Sequence, residues 1–324
     1  MNRSVLLSSG YHMPVLGLGT WKAEPNVVEQ AVLWALEVGY RLIDTAYNYG
    51  NEEEIGKAIN KWIDNGGKRE DLFITTKLPN FGNRPCDVNK YLNESLKRLD
   101  IKYIDLYLIH HPFGFLEPPA GLTAPLLDKS TDHLGIWKEM EQAVRSGLTK
   151  SIGLSNFNSE QIEKIVSNAE IAPANLQVEL HAFLQQPDLL RTCRKHNIAV
   201  TAFAPLGSPA AKAHFKTKYD FEGNEVPNCL NDAKVLEIAE RLGKTPAQIL
   251  LRFLIQQGVI VVPKSSSKER ILENYQALSV NLGDEDMAAL KCLDRGEKGR
   301  IFDFLFYKGV DEHPEYPFPK RALP

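Results

Sequence analysis

Residues able to exchange protons follow an apolar run near the start of the chain. The stretch "RLIDTAYNYGNEEEIG", residues 41–56, places Asp44, Tyr47 and Tyr49 directly after this run. The acidic triplet that follows suits the positive end of a helix dipole, so the stretch predicts a strand over 41–46 and then a helix. In parallel-sheet folds, this edge of the sheet usually holds the catalytic groups. An acid that caps the next helix beside two packed tyrosines is the alternative interpretation.

Later apolar runs end in polar groups of the same kind. One run leads to Lys77, the next to His110, a third to Ser155 and Asn156, and the last to Lys264. Each residue alone is a weak signal, because such a lysine is more often a solvated charge and such a histidine a satisfied hydrogen-bonding group. Their shared place after apolar runs favours a functional site, provided that the ends of the runs meet in space.

The residue types in this set suit proton transfer to a carbonyl oxygen. The unperturbed pKa of tyrosine is about 10, and a nearby ammonium group lowers it by favouring the phenolate, so Lys77 would make Tyr49 a usable general acid. A buried lysine needs an anion, and Asp44 is the candidate partner. His110 can donate a hydrogen bond to an oxygen that gains negative charge. With a hydride source, the set predicts carbonyl reduction.

Two other kinds of site receive less support. His110 and His111 are consecutive, so on a strand their side chains point to opposite faces and cannot easily hold one metal ion. We therefore expect no metal site. The stretch "GLGTWK", residues 17–22, has only two glycines of a dinucleotide-binding fingerprint, so a Rossmann site is not supported.

Eight β-rich runs alternate with stretches of helical periodicity along the chain. This number and order match a (β/α)8 TIM barrel of the α/β class, and no change of composition marks a second domain. We predict one barrel domain over residues 1–324, with the polar groups of three adjacent strands converging at one end. The predicted strands span residues 15–20, 41–46, 72–78, 104–110, 148–156, 176–181, 199–206 and 259–264.

Three irregular segments interrupt the alternation, at residues 112–131, 207–230 and 295–324. Loops that follow strands gather on one face of a barrel, so we expect these segments to form the rim of the site, with mobile decoration as the alternative. An N-terminal β-hairpin with its turn near Ser9 and Gly10 is predicted to close the other end.

The composition limits which partners the protein can bind and which cell compartment it suits. A net charge of −3 gives no basic field for a nucleic-acid backbone. The four cysteines form no CxxC pair, which suits a reducing compartment, so we expect the cytoplasm. No segment approaches the length of a transmembrane helix, and the first residues lack the apolar core of a signal peptide, so we expect neither a membrane span nor export.

Taken together, several motifs resemble the aldo-keto reductases, in the branch of the aldose and ketosteroid reductases. They include "GLGTW", "DTAYNYGNEEEIG", "ITTKL", "DLYLIHHP", "GLSNF", "LQVELH" and "VVPKSSSKERILEN", and they cover nearly the whole chain. The resemblance implies a catalytic tetrad of Asp44, Tyr49, Lys77 and His110, with Tyr49 rather than Tyr47 as the acid. It also implies a monomer that reduces an aldehyde or ketone by hydride transfer from a nicotinamide lying over the barrel mouth.

The same resemblance implies where a cofactor lies. Ser155, Asn156 and Gln177 match residues that hydrogen-bond the nicotinamide carboxamide, and Phe203 matches the ring that stacks on it. Lys264, Ser265 and Arg270 match the ligands of the 2′-phosphate, and Glu273 and Asn274 match neighbours of the adenine. Other positions that match cofactor-binding residues of the family are Gly19, Thr20, Asp44, Leu206 and Ser208. A cationic cluster beside serines suits a dianionic phosphate, so we expect NADP(H) rather than NAD(H). A solvated first turn of the last helix is the alternative for this cluster.

The chain also departs from the family pattern. His111 stands where aldose reductases often have tryptophan, Phe203 replaces the usual stacking tyrosine, and "AAKAHFK" (residues 210–216) shows no acidic belt residue for closure over the pyrophosphate. The tail is rich in aromatic residues, which indicates a bulky apolar substrate, although these rings could instead pack the tail down. The residues expected in the substrate pocket are Trp21, His111, Phe302 and Phe304, with Phe306 and Tyr307 nearby in the tail.

Two other functions are compatible with the same fold. One is a non-catalytic NADP-binding structural or channel-associated protein, which an intact tetrad disfavours. The other is reduction of an enone double bond, but the steroid double-bond reductases of this family carry glutamate at the position of His110. The sequence therefore favours carbonyl reduction.

Overall fold

Eight parallel strands, paired in chain order, form the centre of the computed structural model, which describes residues 3–116, 126–223 and 225–319. The predicted (β/α)8 barrel is confirmed, and most predicted strands match observed ones within a few residues. The strands are β1 (Gly17–Gly19), β2 (Leu42–Asp44), β3 (Phe73–Leu78), β4 (Ile104–Ile109), β5 (Thr149–Ser155), β6 (Asn175–Glu179), β7 (Ala199–Phe203) and β8 (Ile260–Val261).

The first and last strands meet and complete the ring. Isolated parallel bridges join Leu16 to Val261 and Gly19 to Lys264. At Gly19 an added Cβ would lie 2.6 Å from the carbonyl oxygen of Val262. Only glycine allows the two strands to approach this closely, so this residue serves closure of the barrel.

Helices cover the outside of the barrel. Every residue of β3 and β4 is buried, because helices pack on one side and the barrel interior lies on the other. Capping boxes at Asn158 and Thr245 start two of the helices, as their sequences favour. The helices are α1 (Pro25–Val38), α2 (Glu52–Asp64), α3 (Val88–Leu99), α4 (His133–Arg145), α5 (Ser159–Val166), α6 (Pro187–Lys195), α7 (Ala211–Tyr219), α8 (Ala233–Leu242), α9 (Pro246–Gln256), α10 (Lys268–Gln276) and α11 (Asp284–Lys291).

The N-terminal hairpin closes the end of the barrel opposite the strand ends that carry the polar groups. Ser4–Leu6 pairs with His12–Pro14, as predicted, and Gly10 takes a positive φ in the turn. Met13 is fully buried and packs in one cluster with Leu42 and other residues near the starts of barrel strands. Water is thereby excluded from this end of the interior.

Two rim segments are more regular than the sequence predicts. Within 112–131, Gly114–Leu116 pairs antiparallel with Leu126–Asp128, while residues 117–125 lie outside the described residues. Within 207–230, α7 replaces an expected loop. Ala211 and Phe215 of this helix are buried in a cluster of aromatic residues, and this tertiary contact is not visible in the polar local sequence.

The tail folds back over the carboxyl ends of the strands. It contains short 3₁₀ turns at Gly296–Gly299 and Val310–Glu312, and its last residues, 320–324, lie outside the described residues. Its rings join what we call the aromatic cluster, whose buried members are Phe113, Phe115, Ala211, Phe215, Phe302, Phe304 and Val310. In the part of the chain that the structure describes, no helix is both long and apolar enough to cross a membrane.

Candidate active site

Lys77 links the acidic and phenolic groups at the carboxyl end of the barrel. Its Nζ lies 2.8 Å from Oδ1 of Asp44, 2.9 Å from the carbonyl oxygen of Thr45 and 3.3 Å from the hydroxyl of Tyr49. The lysine side chain is fully buried, so the ammonium depends on this carboxylate, as expected. The pairing of Lys77 with Asp44 is therefore confirmed.

Only one of the two neighbouring tyrosines faces this group. Both belong to the 3₁₀ turn Tyr47–Tyr49 that follows β2. The Tyr47 hydroxyl donates to Glu94 at 2.7 Å and accepts from Arg98 at 2.9 Å, and both partners belong to α3. The turn thus directs Tyr47 outward and Tyr49 toward Lys77.

The pKa of Tyr49 moves in the opposite direction to our prediction. Burial raises it and outweighs the ammonium of Lys77, which lowers it, so the net pKa lies above the usual value. The phenol therefore keeps its proton at neutral pH. Burial disfavours the charged form of Lys77, but Asp44 and Tyr49 raise its pKa above the usual value, and the lysine remains an ammonium.

The predicted geometry of the two histidines is wrong. Strand β4 ends at Ile109, so His110 and His111 lie beyond the pleat, and their rings stack with centroids 4.3 Å apart instead of pointing to opposite faces. Burial, helped by His111 and Lys77, lowers the pKa of His110 well below its usual range. Burial and Lys77 lower the pKa of His111 to about 3. Both imidazoles are neutral at pH 7.

The His110 ring lies next to the phenol. It contacts Tyr49 edge to face, with centroids 5.7 Å apart, and its backbone carbonyl accepts a hydrogen bond from Asn156 at 2.9 Å. A neutral imidazole carries one N–H, so His110 can donate to an oxygen placed beside the Tyr49 hydroxyl.

A cleft of about 920 Å³ runs across this end of the barrel. Lys77 lies beneath the floor, whereas every other residue that the sequence assigned to the site lines the cleft. The lining residues so assigned are Gly19, Thr20, Trp21, Asp44, Tyr49, His110, His111, Ser155, Asn156, Gln177, Phe203, Leu206, Ser208, Lys264, Ser265, Arg270, Glu273, Asn274, Phe302 and Phe304.

Amide groups lie beside the tetrad in the cleft. Gln177 donates to Oδ2 of Asp44 at 2.6 Å, which leaves its amide oxygen available as an acceptor. Asn156 also donates to the Ser155 hydroxyl at 3.2 Å and has a positive φ. These three polar groups are buried and fixed, so they can bind an amide-bearing ring next to Tyr49.

Another part of the cleft is basic. Lys264 donates to the Ser266 hydroxyl at 3.3 Å, and partial burial together with the charge of Arg270 lowers the pKa of Lys264. Glu273, which also lines the cleft, accepts a hydrogen bond from the Thr245 hydroxyl at 2.8 Å. Two crowded cations beside hydroxyl groups suit an anionic ligand.

Aromatic rings form the remaining walls. The ring centroid of Phe302 lies 5.5 Å from that of Trp21 and 5.4 Å from that of Phe203, both in edge contacts. The ring centroids of His111 and Phe304 lie 4.6 Å apart. These rings both pack the tail down and line the cleft. The two interpretations of the aromatic tail are therefore compatible.

Several lining residues were not identified from the sequence. Lys22 could have been identified, because it lies just after a predicted strand. The α7 residues carry no such local signal, because only the tertiary structure brings this helix to the cleft. These additional residues include Lys22, Asn48, His214, Lys218, Tyr219, Asn231 and Thr245.

Unusual backbone conformations concentrate at this site. Among the described residues, nine other than glycine have positive φ. Five of these line the cleft: Lys22, Asn156, Ala204, Ser208 and Phe304. Such conformations cost free energy, and they cluster where a fold must place particular groups.

Metal binding has no visible basis in the residues that the structure describes. No group of three or more His, Cys, Asp and Glu side chains among them is arranged to hold an ion.

Comparisons with known proteins agree on one family. Residues 15–295 match the model of the Aldo/keto reductase family. The chain is 41% identical over 325 residues to aldo-keto reductase family 1 member A1 from Homo sapiens, covering 97% of each chain. It is 40% identical over 323 residues to the protein of that name from Xenopus tropicalis, covering 96% of each. A solved structure of the aldose reductase from Schistosoma japonicum is 42% identical, with a TM-score of 0.87, covering 99% of this chain and 100% of the other.

Proposed function

Because the chain belongs to the aldo/keto reductase family, and so is an oxidoreductase of carbonyl groups, we propose that it reduces bulky apolar aldehydes or ketones with NADPH. Tyr49 is the general acid of this proposal. The observation that supports it most directly is the hydrogen-bond chain from Asp44 through Lys77 to Tyr49, beside a cleft that is also lined by Lys264 and Arg270.

The residues present fit a nicotinamide dinucleotide. Amide and hydroxyl groups line the cleft together with Tyr49, and Lys264, Ser265 and Arg270 line the same cleft. A 2′-phosphate would match these cations, which favours NADP(H) over NAD(H). Bound there, the cofactor would supply a hydride.

The proton comes from the chain itself. The phenol of Tyr49 is protonated at neutral pH, and transfer of its proton to the carbonyl oxygen leaves a phenolate beside the Lys77 ammonium. Lys77 stabilises this anion, and Asp44 keeps the lysine charged. His110 orients the carbonyl through its N–H. The phenolate then recovers a proton from solvent.

Substrate choice follows from the walls of the cleft. Trp21, Phe302 and Phe304 supply apolar surface, and the neutral His111 adds one polar group near the tetrad. We therefore expect aromatic or long-chain carbonyl compounds to be better substrates than small ones. The cytoplasmic location and the monomeric state remain predictions.

The purified protein mixed with NADPH and 2-naphthaldehyde tests the proposal through loss of reduced-nicotinamide absorbance. We expect consumption of NADPH in a one-to-one ratio with the alcohol formed, and much slower consumption of NADH at equal concentration. No turnover across a panel of aldehydes and ketones, despite NADPH binding, would contradict the catalytic proposal. A saturated ketone as the main product from an enone would indicate double-bond reduction instead.

A further inference from the structure

Glu179, the last residue of β6, holds the start of the C-terminal tail. The side chain is 1% exposed. Its Oε1 accepts from the backbone N–H of Ile301 at 2.9 Å and from Nε2 of His181 at 3.0 Å, and its Oε2 accepts from the backbone N–H of Phe302 at 2.9 Å. The carboxylate thus binds two consecutive amides of a segment more than one hundred residues away in the chain.

The partners of this carboxylate all donate. The backbone N–H of Phe183 lies 3.3 Å from Nδ1 of His181, which makes Nδ1 an acceptor and places the ring proton on Nε2. The Arg300 guanidinium also attracts the Glu179 charge. Three N–H donors and a nearby cation stabilise an ionised carboxylate in a buried place, so this contact is stronger than one between neutral groups.

The residues before this contact also fit closely against the barrel. The backbone N–H of Arg295 donates to the carbonyl oxygen of Phe183 at 3.0 Å, and that of Gln185 donates to Asp294 at 3.1 Å. At Gly299, an added Cβ would overlap the Phe183 carbonyl oxygen. The tail therefore packs directly on the loop after β6.

The tail has a second attachment beyond the rings. Asn158 donates to the carbonyl oxygen of Pro317 at 3.1 Å, and Gln161 donates to that of Glu315 at 3.0 Å. Between the two attachments the tail spans the cleft wall. Phe302 lies at the Glu179 end, next to Trp21 and Phe203 and with its ring 5.5 Å from that of Phe215.

We propose that Glu179 is a positioning residue that sets substrate specificity by fixing Phe302 in the wall of the cleft. This inference rests on the proposed carbonyl reduction. Glu179 lines no part of the cleft and lies under the tail, so it acts through the two backbone amides and not through contact with substrate. A large apolar substrate needs the Phe302 surface, whereas a small one that reacts at Tyr49 does not.

The test compares 2-naphthaldehyde with propanal in the wild type and in Glu179→Gln, which keeps the side-chain volume but turns one acceptor oxygen into an N–H donor. The free energy of one charge-assisted hydrogen bond corresponds to a factor of about ten or more in a binding constant. We therefore expect kcat/KM for 2-naphthaldehyde to fall by about tenfold, mainly through a rise in KM. The values for propanal and the Kd for NADPH should stay within about twofold. An equal fall for both aldehydes, or no change for either, would overturn the proposal.

A double-mutant cycle with Phe302→Ala separates positioning from general loss of structure. If Glu179 acts through Phe302, then Glu179→Gln should change the ratio of the two kcat/KM values by less than about twofold in the Phe302→Ala background. Additive effects would contradict the proposal. If Glu179→Gln does not fold, Glu179→Asp, which keeps the charge but draws the oxygens back, is expected to show a smaller loss selective for 2-naphthaldehyde, and a non-selective loss would count against it. A wild type that turns over neither aldehyde would refute the proposed function instead.

Discussion

At the scale of single residues, the site depends on which groups are charged at neutral pH. Burial keeps the Tyr49 phenol and both imidazoles neutral, whereas Asp44 allows Lys77 to remain an ammonium under the same burial. One cation therefore lies beside a neutral acid. This is the charge arrangement that proton donation followed by stabilisation of the phenolate requires.

Removal of the Tyr49 hydroxyl should abolish the proposed proton donor while leaving the cleft intact. We expect Tyr49→Phe to lower kcat by at least ~10², because general acid catalysis typically contributes that much, with the Kd for NADPH within about twofold of wild type. Steady-state kinetics and NADPH fluorescence titration measure the two quantities.

Tyr47→Phe is the matched control, since Tyr47 hydrogen-bonds Glu94 and Arg98 outside the cleft. Its kcat should stay close to that of wild type. Retained turnover in Tyr49→Phe, or a large loss in Tyr47→Phe, would show that the acid has been wrongly assigned.

The buried His111 should make the fold sensitive to acid. Its pKa is about 3 in the folded chain against the usual histidine value of about 6.5, so between these values the unfolded state binds more protons and the free energy of unfolding falls as pH falls. The slope for one such group is up to about 1.4 kcal/mol per pH unit. His111→Phe keeps a ring beside Phe113 and Phe304 but removes this titration.

Urea unfolding at pH 7.0 and pH 4.5 should therefore show a smaller loss of stability in His111→Phe than in wild type, by about 2 to 3 kcal/mol. His110 titrates in the same direction and keeps part of the pH dependence. His12→Gln, a change at an exposed residue of the hairpin, is the control and should behave like wild type. Identical acid sensitivity of His111→Phe and wild type would contradict the prediction.

At the scale of elements, the start of α10 presents its two cations to different sides. Ser267 caps the helix by accepting from the backbone N–H of Arg270 at 3.3 Å, and Arg270 lines the cleft near Lys264. Lys268, in the same turn, lies 3.7 Å from Glu37 of α1 and does not line the cleft. The helix thus separates a cation that lines the cleft from one that pairs with a neighbouring helix.

Coenzyme choice should change when Arg270 loses its charge. A charge-assisted hydrogen bond contributes roughly 1.5 to 3 kcal/mol, so Arg270→Met should raise the Kd for NADPH by about tenfold to a hundredfold, with little change for NADH, which lacks the 2′-phosphate. Fluorescence titration with both coenzymes measures this. Lys268→Met removes a charge from the same turn and should leave both Kd values unchanged. Equal weakening of both coenzymes by Arg270→Met would mean that the phosphate site lies elsewhere.

At the scale of the whole molecule, the two ends of the barrel differ in what they contribute. The amino end is filled by the apolar residues of the hairpin, and the carboxyl end holds the polar groups and the cleft. We therefore expect substitutions at the amino end to affect stability and substitutions at the carboxyl end to affect activity, as in other barrels.

Truncation of the hairpin residue that fills the amino end should affect stability alone. Met13 is fully buried, so Met13→Ala should cost about 2 to 5 kcal/mol of unfolding free energy, with kcat of the remaining folded protein unchanged. Leu6 is 59% exposed in the same hairpin, and Leu6→Ala should cost no more than about 0.5 kcal/mol. Urea denaturation and kinetics on the same samples check this, and a loss of kcat in Met13→Ala would show that the two ends are coupled.

The sequence alone was sufficient to predict the barrel and to select the main candidate residues of the site. Strands buried on both sides must be apolar along their length, so each appears as an apolar run, and the polar groups that follow mark its carboxyl end. For that reason the sequence alone predicts that Lys77 pairs with Asp44. The hairpin was equally local, because its turn needs a positive φ at Gly10.

Only the tertiary structure decided the features that depend on distant partners. The net pKa of Tyr49 depends on how completely other segments bury it, and the stacking of His110 on His111 depends on where β4 stops. Helix α7 forms because Phe215 packs against a tail that lies far along the chain. Local sequence carries no record of these features, since the burial of Tyr49 and the packing of Phe215 join segments that meet only when the barrel has closed, and the end of β4 depends on its pairing with neighbouring strands.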